Sequence, residues 1–320
     1  MRAFAAILAT LLLAIPVGAG AADPVPTRSV SATADVPHGR LDKYEAFPSR
    51  FVSARHVWVW VPEGYDPKGP RLPVIYMHDG QNLFETSTAY GGKEWGVDEA
   101  LSAMGQKAIV VGVWNSPTRY ADYFPQKLAA YLPADMQAQV MSMAKGPLKA
   151  DDYLRFLVEE VKPFIDRTYR TRPDAAHTGI MGSSMGGLIS LYALGEYPQV
   201  FGRAACVSIH WPLMAPPATP EAREAAAEAT AQAWEAWFRT ANFDPKRQRL
   251  YMDHGTRDLD ANYRPYSLKM EAVLPRYGWG EGRNWRSSVF EGTTHNEADW
   301  RARVDIPLGF LLAQRNDNYS

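Results

Sequence analysis

The stretch HTGIMGSSMGGLISLYAL, residues 177–194, decides the fold of this chain. Gly182, Ser184 and Gly186 fit the pattern Gly-x-Ser-x-Gly, and a pattern centred one residue earlier would need glycine at Met181. An apolar run precedes the serine and apolar residues at helical spacing follow it, which predicts a buried strand that turns sharply into a helix. Ser184 is therefore the predicted nucleophile, held at that turn.

The glycines around Ser184 have a steric reason. In a nucleophile elbow the residues two before and two after the serine must lack bulk, because the strand and the helix approach each other closely there. Gly182, Gly186 and Gly187 meet this requirement. The alternative is an ordinary glycine- and serine-rich turn, since the pattern alone also occurs by chance.

Composition bounds the possible functions. The 320 residues are 46% hydrophobic, which is typical of a globular protein with a sizeable core. The formal net charge is −1, so there is no electrostatic reason to expect nucleic acid or an anionic membrane surface as a partner. Cys206 is the single cysteine, which excludes an intramolecular disulfide and every multi-cysteine metal site.

The N-terminus has the three parts of a secretory signal. A basic Arg2 precedes an apolar run over residues 3–15, and small residues follow at Ala19 and Ala21. The alternative is a retained anchor, but the run is shorter than the roughly 20 residues that a spanning helix needs. We expect a signal peptide over residues 1–21, a tether over 22–38, and a location in the periplasm or outside the cell without stable membrane insertion.

Strand and helix patterns alternate along the rest of the chain. This alternation predicts one α/β domain over residues 39–316, with a mostly parallel sheet and helices on both faces. We expect the helix over Ala222–Thr240 to pack on the sheet, the alternative being that it leans over the mouth of the site. Besides the strand before Ser184, the predicted strands are Val57–Val61, Val74–Met77, Ala108–Val113, Ala204–Ile209, Leu250–Met252 and Ser287–Phe290.

A serine nucleophile needs a general base, and chain order selects His295. In an α/β-hydrolase the order is serine, acid, histidine, each on a loop that follows a strand. Four of the seven histidines precede Ser184, and His210 and His254 come too early to leave room for an acid loop before them. His295 follows the last predicted strand, and its alternative role is that of an exposed loop residue.

The same fold needs two backbone N–H groups that face the developing oxyanion. One is expected from Met185, the residue after the nucleophile. The other is expected from the loop Asp79–Gln81, where Gly80 lets the backbone approach a ligand, although an Asp-Gly pair also occurs in ordinary turns.

Four motifs, VWVPEGY, YMHDGQNLF, GSSMGG and HNEADW, occur in this order along the chain. Together they resemble the esterase family of α/β-hydrolases, which includes enterochelin, feruloyl and acetylxylan esterases, S-formylglutathione hydrolases and mycolyltransferases. The resemblance covers about residues 41–312 and implies a Ser-His-acid mechanism without metal or organic cofactor, with Gln81 as an oxyanion-hole donor. It also implies that Asn115 and Arg119 lie in a polar loop lining the cleft.

The triad acid stays open between two residues. Asp258 follows a Gly-Thr turn at the usual spacing, whereas the pattern of the family that this chain resembles favours Asp260, which we rank first. Asp258 could instead be a solvated partner of Arg257, and Asp260 could cap a helix that begins at Ala261.

The substrate also stays open. Trp114 and Trp211 would line an apolar or sugar-stacking cleft, and core packing explains them equally well. The prediction is a serine esterase acting on a small-molecule or carbohydrate ester. The alternatives are an acyltransferase of the same fold and a non-catalytic protein that binds a carbohydrate or siderophore.

Overall fold

A computed structural model describes residues 26–30 and 36–313, and the predicted signal peptide lies outside these ranges. The centre of the described fold is a sheet with the strand order β1-β2-β3-β5-β4-β6-β7-β8-β9. The pairs β1–β2, β2–β3 and β3–β5 are antiparallel. All the other neighbouring strands are parallel. The strands are β1 Arg28–Val30, β2 Arg40–Phe47, β3 Arg55–Val61, β4 Val74–His78, β5 Ile109–Val113, β6 Thr178–Ser183, β7 Arg203–Val207, β8 Arg249–Gly255 and β9 Trp285–Phe290.

Helices cover both faces of this sheet, as predicted. Helices α2 to α8 contribute to a large apolar cluster on one face, and α1 and α10 contribute to a smaller one on the other. A π-helical turn, Phe156–Val161, joins α4 to α5. The helices are α1 Val97–Ala103, α2 Arg119–Tyr123, α3 Ala134–Ala144, α4 Ala150–Arg155, α5 Lys162–Thr168, α6 Met185–Glu196, α7 Pro220–Phe238, α8 Arg264–Val273, α9 Glu297–Arg301 and α10 Asp305–Leu312.

Burial explains why β4 to β7 lie at the centre of the sheet. Every residue of β4, β5, β6 and β7 is buried, which is the pattern of parallel strands covered on both faces. Helix α7 packs into the larger cluster through Trp234 and Trp237, which contact Trp211 and Tyr192. The helix was predicted to pack on the sheet, and it packs instead against helices α6 and α8, which lie beside it.

The sequence pattern did not predict two of the strands, β1 and β2. β2 carries charged residues among its apolar ones, and Asp42 is nevertheless fully buried, where it accepts hydrogen bonds from Arg40 (2.9 Å) and Tyr169 (2.8 Å). β1 lies inside the segment expected to be a tether and pairs antiparallel with β2. β1 is an exposed edge strand, and β2 beside it carries charged residues among its apolar ones, so both give weak hydrophobic patterns and were missed.

The parallel strands bring the predicted site together. Parallel strands end at the same edge of a sheet, and in open α/β sheets ligands bind outside the carboxyl ends of the strands. The residues that follow β4, β6, β8 and β9 include Asp79, Ser184, Asp260 and His295. No helix in the described ranges is long and apolar enough to cross a bilayer.

Candidate active site

Ser184 has the backbone of a nucleophile elbow. It caps α6 with φ 57° and ψ −120°, a region that costs a non-glycine residue about 1–3 kcal/mol. A Cβ at Gly182 would lie 2.9 Å from the backbone of Gly186. A larger residue at position 182 would therefore prevent the strand and the helix from approaching each other as closely as they do. The predicted strand–turn–helix is confirmed, together with the steric reason for its first glycine.

Two backbone N–H groups have the character expected of oxyanion donors. Met185 is the first residue of α6, and Gln81 lies in a single 3₁₀ turn, Gly80–Asn82, after β4. N–H groups in a first turn have no partner within their own helix. A Cβ at Gly80 would lie 2.5 Å from the backbone of Gly112, so glycine lets this turn sit against β5.

His295 forms a short hydrogen bond with Asp260. Its Nδ1 donates to Asp260 Oδ1 at 2.6 Å, and the His295 side chain is 12% exposed while the carboxylate is fully buried. The other oxygen, Oδ2, accepts from the Ser208 hydroxyl and from the Gly255 N–H, each at 2.7 Å. Burial opposes ionisation of Asp260, but these hydrogen bonds and the charge of protonated His295 hold its pKa below the usual value.

The structure separates the two candidate acids. Asp258 is exposed and has φ 52°, whereas Asp260 is buried and contacts His295. Asp253 lies on β8 and pairs with Arg303 at 3.2 Å. The geometry therefore favours Asp260 as the acid. Its hydrogen bonds with His295, Ser208 and Gly255 explain its burial better than the alternative role as a helix cap does.

The histidine loop and the acid loop are joined through their main chains. The N–H groups of Thr256 and Arg257 both donate to the carbonyl of Thr293 at 3.0 Å. A Cβ at Gly255 would lie 2.4 Å from that same carbonyl oxygen, so only glycine permits the approach. This contact places Asp260 and His295 side by side although 35 positions separate them.

Tyr263 is a site residue that the sequence analysis did not assign. Its buried hydroxyl forms a 2.6 Å hydrogen bond with His210 Nδ1, and Ser184 interacts with the same hydroxyl. Its ring meets His295 edge-on with 5.6 Å between centroids. Among the described residues no hydrogen bond joins Ser184 to His295, and such contacts often close only when substrate is bound. The one available signal was its position three residues after Asp260.

Asn115 and Arg119, predicted to line the cleft, both bind Asp79. Arg119 donates from Nε and Nη2 to the two oxygens of Asp79 at 2.7 Å, and Asn115 Nδ2 donates to Oδ1 at 2.7 Å. Asp79 is buried in a left-handed conformation with φ 55°. Burial opposes its ionisation, but the Arg119 charge and the hydrogen bonds from Arg119 and Asn115 lower its pKa. The Arg119 side chain remains 30% exposed.

The two predicted cleft tryptophans differ in their surroundings. Trp211 is 1% exposed and packs edge-on against Trp234 with 5.4 Å between centroids, which is the environment of a core residue. Trp114 is half-buried and packs against Trp58 and His56. Core packing rather than ligand stacking therefore explains the position of Trp211. Trp114, in contrast, keeps some accessible surface.

Two buried histidines flank the site. His78 forms a hydrogen bond with Tyr153 (2.7 Å), His210 forms the bond with Tyr263, and burial lowers the pKa of each to about 3. Both are therefore neutral near pH 7. No group of three or more metal-ligating side chains occurs in the described part of the chain.

This chain is similar to known esterases in sequence and in structure. The chain is 28% identical over 172 residues to the ferri-bacillibactin esterase of Bacillus subtilis and 30% identical over 159 residues to a siderophore enterobactin esterase of Emericella nidulans. These matches cover 49% and 48% of this chain, and the chain spans only about half of each relative, 54% and 51%. A solved ferulic acid esterase superposes with a TM-score of 0.58 at 18% identity, covering 86% of this chain and 98% of that one, which establishes the α/β-hydrolase fold.

A family profile extends the match across most of the domain. The profile described as "Putative esterase" matches residues 49–309, a span that includes the elbow, the acid loop and the histidine loop. The predicted resemblance is therefore confirmed: this chain belongs to the Putative esterase family.

Proposed function

We propose that this protein is a carboxylic ester hydrolase with Ser184 as nucleophile, His295 as general base and Asp260 as the orienting acid. The observation that carries the proposal is the 2.6 Å contact between His295 Nδ1 and the buried Asp260, at the sheet edge where the strained Ser184 follows β6. Asp260 accepts a hydrogen bond from Nδ1–H, which keeps the proton on Nδ1 and leaves the Nε2 lone pair of His295 available to the nucleophile.

The reaction would run in two halves. His295 takes the Ser184 proton as Oγ attacks the ester carbonyl, and the N–H groups of Met185 and Gln81 stabilise the oxyanion. The imidazolium then protonates the leaving alcohol, and an acyl group remains on Ser184. Water attacks this acyl group with the same imidazole as base, and the acid is released. All these groups are protein residues, so the proposal includes no metal or organic cofactor.

The relatives suggest which esters to test. Named relatives are esterases of siderophores, and a structural neighbour is a ferulic acid esterase. We propose an ester substrate of small-molecule or carbohydrate type, with siderophore and feruloyl esters as the first candidates. Arg119 and Trp114, which keep exposed surface, are the proposed substrate contacts.

The test is a panel of p-nitrophenyl esters, sugar acetates, feruloyl esters and siderophore lactones, assayed with wild type, Ser184→Ala, His295→Ala and the double variant. We expect each single variant to lose on the order of 10⁴–10⁶ in turnover, and the double variant to lose little more, because nucleophile and base act as a unit. A fluorophosphonate should label wild type at Ser184. Activity retained in Ser184→Ala would refute the assignment.

Two further measurements address the remaining alternatives. Products analysed with and without added glycerol or sugar distinguish hydrolysis from acyl transfer. Binding of an intact siderophore or sugar ester without turnover would instead indicate a non-catalytic protein. Chelators should leave the rate unchanged.

We also propose that the chain is exported, on the strength of its N-terminal pattern. N-terminal sequencing of the protein from the periplasm or medium is expected to begin near residue 22. A mature protein that starts at Met1 would contradict export by this signal.

A further inference from the structure

Four side chains at the site form a closed ring of contacts. His295 Nδ1 bonds Asp260 at 2.6 Å, and the other Asp260 oxygen bonds Ser208 Oγ at 2.7 Å. Ser208 Oγ in turn accepts from Trp300 Nε1 at 3.0 Å, and the Trp300 ring meets the His295 ring edge-on with 5.0 Å between centroids. This closed ring of contacts joins residues that follow β7, β8 and β9, so it connects three neighbouring strand ends.

The direction of each hydrogen bond in this ring is determined by chemistry. Ser208 Oγ receives the indole N–H of Trp300 and, at 2.9 Å, an N–H of Arg303 Nη2, and neither group can accept. The single hydroxyl proton of Ser208 is therefore left to point at Asp260. Its direction is fixed without any contribution from the substrate.

The Ser208 backbone is held by the same network. Its φ is 39°, in the region that favours glycine, and the residue is fully buried. Its N–H donates to Asp253 Oδ1 at 2.8 Å, and Asp253 is itself paired with Arg303. A strained non-glycine residue persists only where its surroundings over-determine it, and here they include both main-chain and side-chain bonds.

We propose that Ser208 and Trp300 are positioning residues for the triad acid. Ser208 presents a pre-oriented proton to Asp260, and Trp300 supports both Ser208 and the imidazole ring, so that carboxylate and imidazole keep one relative orientation. This proposal rests on the proposed esterase function, because it assigns a role to residues that act through Asp260.

The first test compares two substitutions at Ser208. Ser208→Ala removes the hydroxyl and keeps the strain, whereas Ser208→Gly removes the hydroxyl and relieves the strain. We expect kcat to fall roughly 10- to 100-fold in both, as for loss of a hydrogen bond to a charged group, with KM changed less than about twofold. The melting temperature should be higher for Ser208→Gly than for Ser208→Ala. If kcat instead followed melting temperature, the role would be structural and the proposal wrong.

The second test concerns Trp300. Trp300→Phe removes the N–H donor and keeps an aromatic ring beside His295, and we expect a smaller loss of roughly 3- to 10-fold in kcat, as for a neutral hydrogen bond. Two control variants each remove one part-buried hydrogen bond of a buried side chain elsewhere. Thr178→Val loses a 3.0 Å bond to the Asp174 carbonyl, and Trp60→Phe loses a 3.1 Å bond to the His38 carbonyl. Both controls should keep wild-type kcat, and a loss in them equal to that of Trp300→Phe would overturn the assignment.

A double-mutant cycle separates this proposal from the proposed function. If Ser208 acts through Asp260, Ser208→Ala should slow the Asp260→Asn variant less than about twofold, although it slows wild type much more. Effects that multiply would overturn the positioning role and leave the esterase proposal intact. Full activity in Ser184→Ala would refute the esterase proposal itself.

Discussion

Two buried aspartates flank Ser184, and they are neutralised in different ways. Asp79, after β4, accepts two hydrogen bonds from Arg119 and one from Asn115. Asp260, after β8, accepts from His295, Ser208 and the Gly255 N–H. Each carboxylate therefore accepts three hydrogen bonds, and each has a pKa below the usual value despite burial.

The partners of the two carboxylates have different chemistry. Arginine stays protonated at every physiological pH, so the Asp79–Arg119 pair is a fixed ion pair. An imidazole can take a proton from a reacting group and give it back, so Asp260 faces a group that can change charge during a reaction. We infer that Asp79 holds the shape of the loop that carries Gln81, whereas Asp260 serves the chemistry.

The largest expected effect is on turnover at Asp260. Asp260→Asn should lower kcat roughly 10⁴-fold at an almost unchanged melting temperature, because the amide no longer orients the imidazole or stabilises its charged form. Steady-state kinetics and thermal unfolding measure the two quantities. Asp258→Asn, at an exposed position on the same loop, should lose less than about tenfold. The opposite ranking would move the role to Asp258, and near-wild-type rates in both would indicate a Ser-His dyad.

Substitution in the Asp79–Arg119 pair should lower the stability of the fold. Arg119→Met leaves a buried carboxylate without its counter-charge, and we expect a loss of about 3–5 kcal/mol in the free energy of unfolding, measured by urea denaturation. The double variant Asp79→Asn/Arg119→Gln removes both charges and should recover most of that loss.

The matched change on the other side is His295→Ala. It should cost only about 1 kcal/mol of stability, since Asp260 keeps its bonds from Ser208 and Gly255. Equal stability losses in Arg119→Met and His295→Ala would remove the distinction between a structural and a catalytic carboxylate.

A lower pH should reduce the stability of the fold through the two buried histidines, His78 and His210. His78 and His210 have pKa values of about 3 in the folded state against an ordinary value of 6.5, so between these values the unfolded chain binds more protons. Stability is then full above about pH 6.5 and falls towards pH 3, by up to about 1.4 kcal/mol per pH unit for each histidine. Urea denaturation at several pH values measures this slope. His78→Asn should make it shallower, and an unchanged slope would contradict the buried neutral state of His78.

The smallest expected effect is at the Gln81 side chain. Its Oε1 accepts only a 3.3 Å bond from the Asn115 N–H, and the proposed oxyanion donor is the main-chain N–H. Gln81→Ala should therefore lower kcat less than about fivefold, as for loss of one neutral hydrogen bond. A loss as large as that of Asp260→Asn, in the same kinetic assay, would mean that the side chain itself contacts the reacting atoms.

The sequence by itself determined the features that depend on local pattern. The elbow at Ser184, the central strands and the alternation of strand and helix follow from glycine positions and hydrophobic periodicity, and the structure confirms them. Chain order was enough to select His295 among seven histidines. The triad acid remained divided between Asp258 and Asp260, because both lie on the same loop at plausible spacing.

Only the tertiary structure could decide which side chains meet. Asp260 contacts His295 because Gly255 lets the acid loop reach the Thr293 carbonyl, a contact between positions almost forty residues apart. Tyr263, Ser208 and Trp300 join the site from the segments that follow three different strands, and Arg119, expected in the cleft, is bound to Asp79. Local periodicity reports which face of an element is buried, whereas these contacts depend on how distant strand ends lie side by side, and that information exists only in the folded sheet.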